Sequence, residues 1–406
     1  MEDKVDNINW QRDIQRKFLV TSSVLVSIIG LILLITYTLK VFNYYPESNQ
    51  SSVDFEGRGF IGDYIGGVIG TLFSLVGILL LFLTLKNQRE SFEKERFENR
   101  FFEMVKIHRE NVREMTINDY EAIENIETYD DLLPSSTPEY KKIDEQGVRV
   151  FIVIYKQIQD AINETAFLFQ DIKLEEIYNA SELRKLESNN VFFDRNIDLI
   201  KLAKYDILYL IVFFGLGQEG IVITRRILAS RYIEQIVDRI INYMKLKPVK
   251  KSDFWKYWLS NNYDYQNGTY TKYYGGHQIR LGHYYRHLFA TFKYLNENNN
   301  TSFAEKYNYA KYLRAQITTY EQAVFFYNSL SLLGRAWEFD CQNEIHGEVN
   351  VSSIANHQLI TKYNLIKNVP AEFIALQLNM EPFYPDVEYE LSSITNNKSI
   401  LKKLYY

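Results

Sequence analysis

Two runs of the chain carry no charge at all. Residues 18–39, FLVTSSVLVSIIGLILLITYTL, and 64–85, YIGGVIGTLFSLVGILLLFLTL, are each 22 residues long. At 1.5 Å per residue such a helix covers roughly 33 Å, enough to cross a hydrocarbon core of about 30 Å. Its length, its lack of a small-residue cleavage site and the second span behind it argue against a secretory signal in the first run. The pattern therefore predicts a transmembrane hairpin within residues 1–90. Beyond it the apolar positions recur every three or four residues, as in Phe97, Phe101, Met104, Val105 and His108. This period predicts helices. The expected fold class is mainly α: an N-terminal two-helix transmembrane hairpin followed by a cytoplasmic α-helical bundle.

The bundle reads in segments. A helical stalk is expected over 91–128 and a Pro- and Ser-bearing loop over 129–146, with a new helix over 147–162. Residues 193–217 should form a core helix ending at Gly215 and Gly217; its run Ile207–Leu216 is too short for a third span. One amphipathic helix is expected over 221–245, an aromatic loop or hairpin with Asn-Gly and Gly-Gly over 248–277, and one long helix over 306–334. The helical domain spans 129–340. The tail, 341–406, reads as irregular, broken by Pro370, Pro382 and Pro385.

Charge sets the orientation. Arg12, Arg16 and Lys17 precede the first span, and Lys86, Arg89, Lys94, Arg96 and Arg100 follow the second. The connection between the spans has few basic residues. The positive-inside rule then puts both termini of this multi-pass chain in the cytoplasm and the connection outside. Neither span contains Asp, Glu, Lys or Arg, which argues against an ion or proton pathway. Gly62, Gly66, Gly70 and Ser74 form a stripe of small residues on the second span. Such a stripe lets backbones approach closely, either within the hairpin or between copies in a homo-oligomer.

The formal net charge of -5 argues against bulk coating of nucleic acid, although a local basic site remains open. The single cysteine, Cys341, excludes a disulfide framework. No phosphate-loop, nucleophile-elbow or kinase motif occurs, so no nucleotide or other cofactor is expected. GLGQEG (215–220) follows a helical pattern rather than a strand and is not read as a phosphate turn.

Four motifs stand in order: FFEMVKIHREN (101–111), GVRVF (147–151), LGHYYRHLF (281–289) and YLRAQITTYEQAVFFYNSLS (312–331). Together they resemble the bacterial phage abortive-infection proteins of the AbiC type, over roughly residues 95–340. The resemblance implies an anti-phage defence protein anchored in the bacterial inner membrane, with a phage protein as its trigger. It supplies no chemical mechanism.

The third motif concentrates the candidate chemistry. On a helix, Arg280, His283 and His287 share a face, with Arg286 beside them. One reading is cleavage of RNA. Arg280-x6-His287 resembles the R-x4–6-H pattern of HEPN-type ribonucleases, in which arginine grips phosphate and histidine moves a proton without metal. In this sequence Leu281 replaces the usual polar residue after the arginine. A second reading, metal held by His283-x3-His287, is disfavoured by the neighbouring Arg286 and the absence of a glutamate base, so no metal site is expected. The structural reading makes these groups partners of a polar cluster on the long helix: Arg314, Gln316, Tyr320, Glu321 and Asn328. There Arg280 or His287 would pair with Glu321. His108 and Asn111 read as a polar contact where the stalk meets the bundle. His277, His346 and His357 form no constellation. Two functions follow: a membrane-anchored defence sensor or effector without catalysis, or a membrane-tethered ribonuclease using Arg280 and His287.

Overall fold

The computed structural model describes residues 2–44, 62–122, 140–188, 192, 194–246, 276–339, 358–368, 376 and 379–390. It is mostly helical. The described residues form two compact units, 1–103 with 297–306, and 104–296 with 307–406.

The first unit holds α1 (Glu2–Tyr44), a π-helical turn (Ile65–Ile69) and the first part of α2 (Gly70–Glu114). Two stretches are long and apolar enough to cross a membrane: Ile14–Lys40, with mean hydropathy 2.7, and Gly62–Glu114, with 2.6. They meet antiparallel. Tyr37 stacks on Tyr64 at 4.2 Å, Gly30 receives the ring of Phe73, and Lys86 Nζ donates to Gln15 Oε1 at 3.2 Å. Ser23 and Gly30, and Ile69 and Val76, are buried at seven-residue spacing. The small-residue stripe is not part of this contact. A methyl group on Gly62 or Gly66 would meet nothing within 4 Å, on Gly70 only the carbonyl of Ile65, and Ser74 is exposed.

The second unit is built around α6 (Leu199–Phe214). Asp198 caps it, accepting from the amides of Ile200 and Lys201 at 3.0 and 3.1 Å. Gly215, at φ 81°, ends it. Residues 205–216 are buried on every side, which is why that run lacks amphipathic alternation. Against α6 pack α3 (Arg149–Glu164), α4 (Leu174–Ile177), α7 (Gln218–Leu228) and α11 (Thr319–Leu330). The further α-helices include the short α5 (Ala180–Glu187), α8 (Glu234–Leu246), α9 (Gln278–Glu297), α10 (Phe303–Arg314) and α12 (Leu359–Tyr363).

Four expectations are corrected. The stalk helix stops at Glu114, and β1 (Thr116–Ala122) follows. The end of the expected loop is β2 (Tyr140–Gln146), antiparallel to β1 with Thr116 opposite Gln146. Gly147, at φ 65°, closes the pair by donating to Met115 at 2.9 Å. The helix expected over 221–245 is two helices, α7 and α8, because Tyr232 leaves the helical path to bridge Tyr178. The long helix over 306–334 breaks after Arg314. Thr318 starts α11 with a capping box: the Glu321 amide donates to Thr318 Oγ1 at 3.4 Å, and the Thr318 amide to Glu321 Oε1 at 3.2 Å. The box satisfies helix-start amides that a continuous helix would not leave open.

Thr318→Ala removes the cap and one donor to a buried carboxyl. A loss of about 1–2 kcal/mol is expected, read as a lower urea midpoint of the full chain with its denaturant slope unchanged.

The expected aromatic loop falls outside the described residues over 248–275, as do Cys341, His346 and His357. The described parts of the tail join the core. Tyr363, Phe383 and Tyr384 are buried, and Tyr384 shares a hydrogen bond with Ser329 of α11. Arg195 reaches the Phe383 carbonyl at 2.9 Å and Glu338 at 2.8 Å.

Candidate functional site

The α9 segment starts on an unusual backbone. Gly276 has φ 58°, a conformation that side chains with a Cβ avoid. A Cβ there would lie 2.5 Å from the Phe213 carbonyl oxygen. That closeness lets the His277 amide donate to Phe213 at 2.7 Å, seating the start of α9 on the end of α6.

From this anchor α9 lays out its polar side chains. His277 is buried, with Nε2 2.6 Å from Gln157 Oε1 and Nδ1 3.5 Å from Arg280 Nη1. A guanidinium only donates. Nδ1 therefore accepts, and Nε2–H donates to Gln157. Arg280 donates from Nε to the Thr116 carbonyl and from Nη1 to the Gly276 carbonyl. His287 donates from Nε2 to the Met104 carbonyl at 2.8 Å. His283 and Arg286 are exposed. Arg286 Nε folds back on the Gly282 carbonyl at 3.0 Å, with Nη2 3.5 Å from His283 Nδ1.

The side chain of α9 that reaches Glu321 is Tyr284. Its hydroxyl donates to Glu321 Oε2 at 2.9 Å, while Thr318 supplies its hydroxyl to Oε1 at 2.8 Å. His108 Nε2 lies 4.0 Å from the same Oε2. His108 is 1% exposed, neither ring nitrogen has a hydrogen-bond partner among the described residues, and its ring packs 5.1 Å from that of Tyr284. Burial, and then His287, pull the His108 pKa down to about 4. Burial, and then Arg280, pull His277 down to about 3. Burial raises Glu321 against the bonds from Thr318 and Tyr284, which favour its charged form. Neutral imidazoles thus line the inner side of α9.

The other expected residues separate. Arg314 donates to the carbonyls of Tyr363 and Asn364 at 3.0 and 3.4 Å, because the break before α11 turns it away from Glu321. Gln316 is exposed in that break, and Asn111 is half-buried on α2. Asn328 donates to Tyr209 at 2.9 Å. The expected pairing of Arg280 or His287 with Glu321 does not form: Arg280 donates to the Thr116 and Gly276 carbonyls and His287 to that of Met104. Among the described residues no three His, Cys, Asp or Glu side chains converge as metal ligands.

Sequence reasoning passed over Tyr284, Gln157 and a buried ion cluster. In that cluster Arg335 meets Asp206 at 3.2 Å and Glu182 at 3.3 Å, and Arg231 meets Glu182 at 3.2 Å. The Thr318-x-x-Glu321 signature was visible in the sequence and marks the start of α11. The pairing of Arg335 with Asp206, 129 residues apart, left no local signal.

Residues 276–340 match the family model described as "Putative phage abortive infection protein". The match supports the AbiC-type resemblance and covers about a sixth of the chain. It starts at Gly276, where α9 docks on α6, and takes in Glu321, Asn328 and Arg335. Asp206 and Tyr209, which pair with Arg335 and Asn328, and His108, which lies beside Glu321, are outside it. No curated protein and no solved structure matches the chain.

Proposed function

We propose that this protein is a bacterial anti-phage defence protein of the abortive-infection kind. In this reading it is held in the inner membrane by its two apolar helices, with both termini in the cytoplasm. Its helical unit senses or binds a phage or host component. The family match over 276–340 carries the defence reading. The two span-length apolar helices support the anchoring, and the basic residues flanking them support the orientation. The small-residue stripe, open on the span surface, supports assembly with further copies.

The ribonuclease alternative is not favoured. A metal-free nuclease needs its arginine to grip phosphate and its histidine to exchange protons with substrate. Arg280 holds the Thr116 and Gly276 carbonyls, and His287 holds that of Met104. These bonds fasten α9 to neighbouring backbone.

Phage plating on cells expressing wild type, Arg280→Ala, His287→Ala and Glu321→Ala tests both readings, with membrane-fraction abundance and total RNA measured alongside. Wild type is expected to lower plating by at least tenfold with RNA intact. Arg280→Ala and His287→Ala should lose protection only as far as they lose abundance. Abundant but unprotective variants, with RNA fragments confined to infected wild-type cells, would restore the nuclease. Unchanged plating with abundant wild-type protein, across a panel of phages, would remove the defence reading.

A further inference from the structure

Three imidazoles stand along one side of α9, and two are buried without a carboxylate bonded to them. His108, on α2, is faced by His287 and Tyr284 of α9 and by Glu321 of α11, with the ring of Phe151 from α3 behind Tyr284. Among the described residues neither of its nitrogens has a hydrogen-bond partner. Glu321 sits at 4.0 Å, beyond hydrogen-bond reach, and already accepts from Thr318 and Tyr284. His277 is faced by Gln157 of α3, by Arg280 of its own helix and by the end of α6. A proton on Nδ1 of His277 would point at a guanidinium. A proton added to His108 would be buried beside His287.

We propose that His108 and His277 make the attachment of α9 a proton-sensitive latch, closed while both imidazoles are neutral and opened when they are charged. The latch stands on these contacts and does not depend on the defence or membrane reading. Its sign follows from linkage. A histidine whose pKa is lower in the closed state than in the open one takes up a proton on opening. Closure is therefore complete above the ordinary histidine value near 6.5 and is lost as pH falls from there toward about 4, the value of buried His108. With two such groups the opening equilibrium rises by up to about a hundredfold per pH unit inside that window. Among the described residues Glu321 is the one carboxyl facing His108. Its pKa is raised in the closed state, so it gives up a proton on opening and opposes the two histidines; its removal should move opening to higher pH.

The test is amide hydrogen exchange by mass spectrometry on the full chain in detergent, from pH 7.5 to 5, corrected for intrinsic rates. Peptides from α9 should lose protection as pH falls, while peptides from α6 stay protected. Glu321→Gln, which keeps the capping box, should open at higher pH. The His108→Phe/His277→Gln double variant should lose the pH response while staying protected at pH 7.5. If that variant does not fold, exchange of the imidazole C2 proton of His108 in the wild type reads its titration directly. A midpoint below 6 is expected. Simultaneous opening of α6 and α9, a pH response surviving in the double variant, or a His108 midpoint at or above 6.5 would each overturn the latch.

Discussion

Gly276→Ala is expected to cost about 3–5 kcal/mol and to detach the start of α9. Two effects add. An alanine at φ 58° pays about 1–2 kcal/mol for the left-handed backbone. Its Cβ would also lie 2.4–2.6 Å from backbone atoms of Phe213, Phe214 and Gly215, which cannot move like a side-chain tip. Relief requires the strand of backbone before α9 to back away from α6, which breaks the bond from His277 to Phe213. Gly282→Ala is the matched control, since its Cβ would meet only Arg286 Nη2 at 3.9 Å on a helix. That change should be neutral or stabilising by up to about 1 kcal/mol. Urea unfolding of the purified full chain separates the two. Equal losses for both variants would show that Gly276 is not a close-packed junction.

Arg335→Met should cost a comparable amount, about 3–5 kcal/mol, because it strands buried carboxylates. Asp206 is fully buried and accepts from Tyr232 at 2.6 Å, from the Leu332 amide at 2.8 Å and from Arg335. Among the described residues, loss of Arg335 leaves Asp206 with the neutral donors Tyr232 and Leu332, and Glu182 with Arg231. Adding Asp206→Asn should recover a large part of the loss, since asparagine still accepts from Leu332 and carries no charge to desolvate. The double-mutant cycle therefore carries a coupling energy of a few kcal/mol in the stabilising sense. Additive losses would mean that Arg335 acts by packing rather than by neutralising Asp206.

Much of the first unit and the centre of the second could be read from the chain. A 22-residue uncharged run predicts a span-length helix because length and hydropathy are local properties. The continuous apolar stretch in α6 likewise announces a helix buried all round, and Gly215 announces its end. The break at residues 315–318 was also written locally, in Thr318 and Glu321. It was hidden because apolar residues on both sides kept a helical period through it. The strand at Thr116–Ala122 was missed because charged residues there carry no alternation of hydrophobicity.

The sequence by itself determined the helical class, the two apolar helices and the likeness to abortive-infection proteins over the α9–α11 segment. It also determined that histidines and arginines crowd α9. Only the tertiary structure decided what those groups do. Arg280 and His287 were matched by spacing to a nuclease pattern, yet their donors end on the carbonyls of Thr116 and Met104. Glu321 took Tyr284 as its partner, with His108 left unbonded beside it. The physical reason is that a side chain's protonation and partner depend on burial and on groups distant in sequence. His108 and Glu321 are 213 positions apart in the chain and 4.0 Å apart in the fold.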